Sequence, residues 1–184
     1  MSVLPIVTFD DPVLRKKAEP LKSNSQELQQ LINDMFDTMY NSNGVGLAAP
    51  QIGKSLRIFV TDTDVMAEES EEISYGPQVF INPEIVQTSG DKVKMEEGCL
   101  SIPDVRDEIS RPCHVTVKFL DRNFRQQELT AGGWMSRVVQ HEYDHLEGIL
   151  FIDHLSAFKR RLQKKKLDMI DQGKLETEYP LVPK

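Results

Sequence analysis

The sequence holds only two cysteines, Cys99 and Cys113, in 184 residues. Two thiols cannot build the disulfide framework of a small secreted domain, and in a cytosolic chain of this size a bridge between them is not expected. Each thiol therefore needs its own explanation as apolar filler, ligand or nucleophile. An excess of cations is also missing. Lys and Arg number 22 against 29 Asp and Glu, a formal charge of -7, which argues against DNA or an anionic membrane as the main partner. No apolar run approaches the roughly 20 residues that cross a bilayer. The opening "MSVLPIVTFDD" lacks the positive region and apolar stretch of a secretory signal, and it is too poor in arginine and serine for a transit peptide. A cytoplasmic location is the resulting expectation. With 39% hydrophobic and 28% charged residues, the chain reads as an ordinary globular protein. Its length suits one domain, residues 1–184, expected to be a monomer.

Hydrophobic spacing outlines the elements. "DPVLRKKAEP" (11–20) is bounded by prolines and reads as a turn with a short helical piece at most. Asn24, with Glu27 three residues on, suits the cap of a helix. Leu28, Leu31, Ile32, Met35, Met39 and Tyr40 form its predicted buried stripe, and "NSNG" (41–44) stops it. "RIFVTD" (57–62), "HVTVKFLD" (114–121) and "QQELTA" (126–131) read as strands. Residues 62–78 read as an acidic surface loop, and 79–90 as two short strand pieces around Asn82-Pro83. A helix is expected from about Gly133 to Leu146 and another from Ser156 to Asp171, with Leu155, Phe158, Leu162 and Met169 on the buried side of the latter. The tail "LETEYPLVPK" reads as irregular. The expected fold is α+β: short, mostly antiparallel strands around a central helix, with an N-terminal and a C-terminal helix.

That central helix carries the chemistry. "QHEYDHLEG" (140–148) contains H-E-x-x-H, which sets His141 and His145 one turn apart on one helix face. Trp134, Val138, His141 and His145 follow at spacings of 4, 3 and 4, so the imidazoles share a face with residues that seek burial. Buried imidazoles need partners, and a metal is a good one. A catalytic zinc-type site needs three protein ligands and an open position. The metzincin pattern fits as far as Gly148, but its last position is Phe151, which binds no metal. Downstream, Glu147, Asp153, His154 and Glu176 remain candidates at no telling distance. Upstream, "EEGCLSIP" (96–103) offers Cys99 beside Gly98, where metal and substrate backbone can approach closely. Cys113, next to Pro112 at what reads as a strand entrance, looks like filler. "GVGLAA" formally satisfies a dinucleotide fingerprint, with Asp62 and Asp64 at the expected distance. It follows a helix rather than a strand, however, and Pro50 disfavours helix at Ala49. A tight backbone wall for an extended ligand is the better reading.

"GVGLAAPQ" (44–51), "EGCLS" (97–101) and "QHEYDHLEG" (140–148), in this order and spacing, resemble the peptide deformylase family, and the similarity runs from "DPVLR" (11–15) to "FIDHLS" (151–156). The resemblance implies Cys99, His141 and His145 as ligands of a divalent metal, iron(II) in cells, with zinc, nickel or cobalt able to replace it. It implies hydrolysis of the N-formyl amide of newly made formyl-methionyl peptides. Glu142 would move the proton, and the Gln51 side-chain amide and Leu100 backbone N–H would stabilise the developing oxyanion. Val45, Gly46 and Gly98 would wall the peptide groove, Trp134 and Val138 would line a methionine pocket, and Arg106 would contact the peptide. Two other readings stay open: a zincin-type endopeptidase with a downstream ligand, and a non-catalytic metal-stabilised binding module. "KRRLQKKK" (159–166) has six cations in eight residues. It suits a solvated helix face or a contact with ribosomal RNA.

Overall fold

A computed structural model of the chain describes residues 2–184. Its framework is one antiparallel five-stranded sheet in sequence order. The strands are β1 (Gly46–Ala48), β2 (Ile58–Thr61), β3 (Gln78–Cys99), β4 (Ile102–Leu120) and β5 (Gln126–Ala131). Among the described residues four α-helices accompany them: α1 (Gln26–Asn41), α2 (Asp64–Ser70), α3 (Gly133–Leu146) and α4 (Ala157–Asp171). "DPVLR" supplies one short 3-10 turn, Pro12–Arg15, capped by the Asp11 side chain.

The strand lengths correct the sequence reading. Residues 79–90 are not two pieces. They belong to a single 22-residue strand that pairs with β4 from Ile81↔Leu120 to Cys99↔Ile102. What resembled a break at Asn82-Pro83 is a register shift between Ile81 and Glu84, with Asn82 at φ 49°, a left-handed conformation asparagine tolerates. The Asn82 side chain holds both backbone groups of Leu21, at 2.8 and 2.7 Å. Likewise 114–121 covers only the far half of β4. Pro112 and Cys113 lie inside that strand rather than at its entrance, where the register shifts between Ser89 and Lys92. Cys113 is half-buried with its Sγ 3.1 Å from His114 Nδ1. The outer parts of β3 and β4 are polar because much of their surface faces water, which hid them from an apolar pattern.

The helices differ in similar ways. Ser25, not Asn24, caps α1: its Oγ accepts from Leu28 N at 3.1 Å, while Asn24 accepts from the Gln29 side chain. Leu28, Ile32, Met35 and Met39 are buried as expected. Tyr40 is not, and its hydroxyl donates to Asp62 at 2.6 Å. The acidic 62–78 segment is not all loop, since it contains α2. Asp64 gathers the Tyr75 and Gly76 backbone N–H groups, and the Trp134 backbone N–H donates to Glu72 at 2.8 Å. On α4 the expected buried stripe holds only at its ends, where Leu155 is buried and Met169 half-buried. Phe158 and Leu162 are 68% and 66% exposed, and Ile170 is the buried residue. The helix faces β4 through polar contacts instead: Lys159 to Asp107, Gln163 to the Arg106 carbonyl and Lys166 to the Asp104 carbonyl. The tail is tied down, with Leu181 in a parallel bridge to Ile6.

α3 lies on the sheet. Met135, Val139 and Leu146 are buried in a cluster with Phe59, Phe80, Val115, Val117 and Phe119. That packing fixes which face of α3 turns toward the tip of the β3–β4 hairpin. No helix of the described residues is long and apolar enough to cross a membrane.

Candidate active site

Cys99 is the last residue of β3, and the β3–β4 turn brings it against α3. Its Sγ lies 3.4 Å from His145 Nε2, and ligand atoms of Cys99, His141 and His145 all fall within 4.8 Å of one another. The two imidazoles meet edge to face, with ring centroids 5.1 Å apart. The third residue group arrives from the segment after β1. Gln51, buried in a 3-10 turn, fixes its side chain by accepting from Ala48 N at 2.8 Å, and its Nε2 donates toward Cys99 Sγ at 3.5 Å. Three separate stretches of sequence therefore meet at one thiol.

A carboxylate organises the histidine side. Glu97 Oε2 lies 2.9 Å from His141 Nδ1. The same carboxylate accepts from Arg111 at 2.7 and 3.0 Å and from Arg137 at 2.8 Å. Burial works against its charge, but the hydrogen bonds from His141 and Arg111 outweigh that and hold its carboxyl well below the usual range. A carboxylate only accepts, so His141 Nδ1 carries a hydrogen and Nε2 is the nitrogen turned to the cluster. Burial also opposes a charge on His141, and hydrogen bonds with Cys99 and Glu97 overcome it, raising the imidazole. His145 goes the other way: burial, with His141 and Arg111 adding to it, keeps it neutral. Burial pushes the Glu142 carboxyl up to about 7.

Glu142 follows His141 on α3, and its Oε2 is buried with no protein partner. Its other side is pressed on Gly46, where an added Cβ would lie 2.5 Å from Glu142 Oε1. A side chain there would push the Glu142 carboxylate aside, a matter of close approach rather than of a positive φ. Leu100 Cδ1 packs in the same way on Gly44, 3.0 Å from where a Cβ would stand. One thiol and two imidazoles form a borderline-soft set that fits a divalent transition-metal ion, and the unpaired Glu142 oxygen suits a hydrogen-bonding water beside it.

The remaining sequence candidates separate clearly. Val138 is buried on α3 one turn before Glu142. Trp134 is half-buried and its indole N–H donates to Ser70 at 3.1 Å, so α2 covers part of it. Val45 is half-buried just before β1. Gly98 faces Arg106 across the hairpin. The Arg106 side chain is 70% exposed and lies 3.6 Å from Glu96. Three of the downstream ligand candidates are engaged elsewhere: Glu147 with Arg57 and Lys17, Asp153 with Arg15 and Arg160, His154 with Asp144. Phe151 stacks near the His141 ring, centroids 6.1 Å apart. Glu97 and Arg111 escaped the sequence reading as parts of the site, whereas Arg137, whose place on the helix suits an outer face or a pairing with an acid, is buried and paired with Glu97. The available signal was a charged residue, Arg137, one turn before His141 on a helix side that packs inward.

A family model described as polypeptide deformylase matches residues 3–161. A peptide deformylase of Salinibacter ruber is 48% identical over 186 aligned residues, covering 99% of this chain and 95% of that relative. The crystal structure of a peptide deformylase from Legionella pneumophila matches with a TM-score of 0.83 at 44% identity, covering 93% of this chain and 96% of that one. A peptide deformylase from Ehrlichia chaffeensis, in complex with actinonin, matches with a TM-score of 0.84 at 44% identity over 91% and 97% of the two chains. With the family model spanning most of the chain and a relative this similar along nearly its whole length, the chain belongs to the polypeptide deformylase family.

Proposed function

We propose that this enzyme removes the N-formyl group from the formyl-methionine end of newly made polypeptides, releasing formate and a free amine, and that Cys99, His141 and His145 hold one divalent ion for that reaction. The convergence of one thiol and two imidazoles beside a buried carboxylate with an unpartnered oxygen carries this reading. A bound ion of this kind supplies Lewis acidity and makes water nucleophilic near neutral pH. Glu142 takes the proton of the attacking water at its free oxygen and delivers it to the leaving amine. As the formyl carbon becomes tetrahedral, the Gln51 side-chain N–H and the Leu100 backbone N–H donate to the oxygen that gains charge. Each such donor is worth about 3–4 kcal/mol of barrier.

β1 is an edge strand. Its open side, at Gly46, supports a peptide laid alongside as a further strand. Trp134 and Val138 line the methionine pocket with Val45 opposite, Gly98 leaves room for the backbone, and Arg106 contacts the chain beyond. We take residues 1–184 as one catalytic unit built about α3, monomeric and cytoplasmic, with iron(II) as the working ion and zinc, nickel or cobalt as substitutes. The zincin alternative loses support because Glu147, Asp153 and His154 are committed to ion pairs. A binding module with a closed structural site would need a fourth protein ligand, and among the described residues three donors cluster here. One assay separates the readings. Formate release from a formyl-methionyl peptide, with no cleavage of internal peptide bonds, is expected; internal cleavage without formate overturns it.

The basic helix 156–171 supports a contact with ribosomal RNA. The exposed Phe158 and Leu162 share its outer surface with Arg161 and Lys165. Co-sedimentation with ribosomes should fall as salt rises and should weaken when Lys164, Lys165 and Lys166 are neutralised. Binding unchanged by both removes the contact.

A further inference from the structure

The turn that joins β3 to β4, Leu100-Ser101, follows the site thiol directly, and the hairpin alone does not hold it. Its carbonyls are held from outside. Phe9 N donates to the Ser101 carbonyl at 2.9 Å, and the Tyr179 hydroxyl donates to the Leu100 carbonyl at 2.8 Å. Tyr179 comes from the C-terminal tail, far from every motif in the sequence. We propose that Tyr179 is a positioning residue for deformylation: its hydroxyl fixes the Cys99–Ser101 turn so that the Leu100 N–H faces the reacting oxygen. This rests on the role given to Leu100 above.

The tail is built to deliver that hydroxyl. Pro180 restricts Tyr179 to extended backbone, and Pro183 does the same for Val182. Ile6 N donates to the Pro180 carbonyl at 2.9 Å and Val182 N to the Ile6 carbonyl at 2.8 Å, the two bonds of a parallel bridge. Thr177 Oγ1 donates to the Tyr179 carbonyl at 2.6 Å, and Lys184 pairs with Asp10. The N-terminal segment that anchors the tail also holds the other oxyanion donor, because Val7 N donates to the Gln51 carbonyl at 2.9 Å. Residues 6–9 thus register three things against one another: the Gln51 turn, the Leu100-Ser101 turn and the tail. On the far side Leu100 packs against Gly44, so its side chain and its carbonyl are both clamped. The Leu100 N–H lies in the peptide plane just before the held carbonyl; with Cys99 paired to Ile102 and the Leu100 side chain clamped, the two rotations at Leu100 that join these planes have little freedom to swing the N–H away.

Tyr179→Phe removes the hydroxyl and keeps the ring. In the metal-loaded enzyme, kcat for formate release is expected to fall about threefold to tenfold, the worth of one hydrogen bond expressed in the transition state, with KM nearly unchanged. Metal content should match the wild type, and hydrogen exchange of amides in 99–102 should quicken while exchange in α3 stays the same. Unchanged kcat overturns the proposal, with or without faster exchange. So does a lower kcat with unaltered exchange in 99–102, or one explained by lost metal. Wild-type protein that releases no formate refutes the functional reading instead, and exchange in 99–102 then decides whether Tyr179 holds the turn.

Discussion

Replacing Glu142 by glutamine is expected to lower kcat for formate release by about 10²–10⁴-fold, the usual range for a positioned proton-transfer group, while metal content and fold persist. Glutamine keeps the shape that fits against Gly46 but cannot accept the proton of the attacking water. Glu142 makes no hydrogen bond that holds the fold: one of its oxygens is buried without a partner, an arrangement that costs stability and therefore points to a use in the reaction. Thermal stability of Glu142→Gln should accordingly be equal to or above that of the wild type. Metal analysis of the purified variant, beside formate assays, checks both parts; a variant that loses its metal, or one that turns over normally, contradicts the role.

The second large effect concerns Glu97. Glu97→Gln is expected to cost about 3–5 kcal/mol of stability, since removing one member of a buried ion network strands the others. The Glu97, Arg111 and Arg137 side chains are 3%, 6% and 5% exposed. Without the carboxylate charge Arg111 keeps only Asp144, and Arg137 keeps only the carbonyls of Val93 and Ile109. For a chain of this size that loss lowers the unfolding midpoint by about 6–20 °C. The site should suffer as well, because His141 loses the acceptor that fixes which nitrogen carries its hydrogen; metal affinity should drop about 10–100-fold. Calorimetry and chelator competition measure the two effects separately. Wild-type stability in Glu97→Gln would show that the network does not hold the hairpin to α3.

The distribution of what was legible in the sequence follows from these interactions. His141, Glu142 and His145 could be read because one helical turn fixes their relation; Cys99, beside a glycine and an extended segment, is by its surroundings one candidate among several, and the family resemblance singles it out. Glu97 sits two residues before Cys99 in plain view, yet its role depends on Arg111 and Arg137, which approach only when the β3–β4 hairpin folds onto α3. The length of that hairpin stayed hidden because its outer half is wet on much of its surface. On α4, Phe158 and Leu162 misled because apolar side chains at helical spacing normally mark the buried side, whereas this helix faces β4 through Lys159, Gln163 and Lys166. Tyr179 left no local signal beyond the proline that follows it: its partner is 79 residues away.

X-ray absorption of the metal-loaded enzyme tests the ligand set most directly. One sulfur and two imidazole nitrogens around the ion are expected, with the sulfur contribution gone in Cys99→Ala. An ion bound by nitrogen and oxygen alone in the wild type, with Cys99 uncoordinated, would contradict the proposed site and the chemistry built on it.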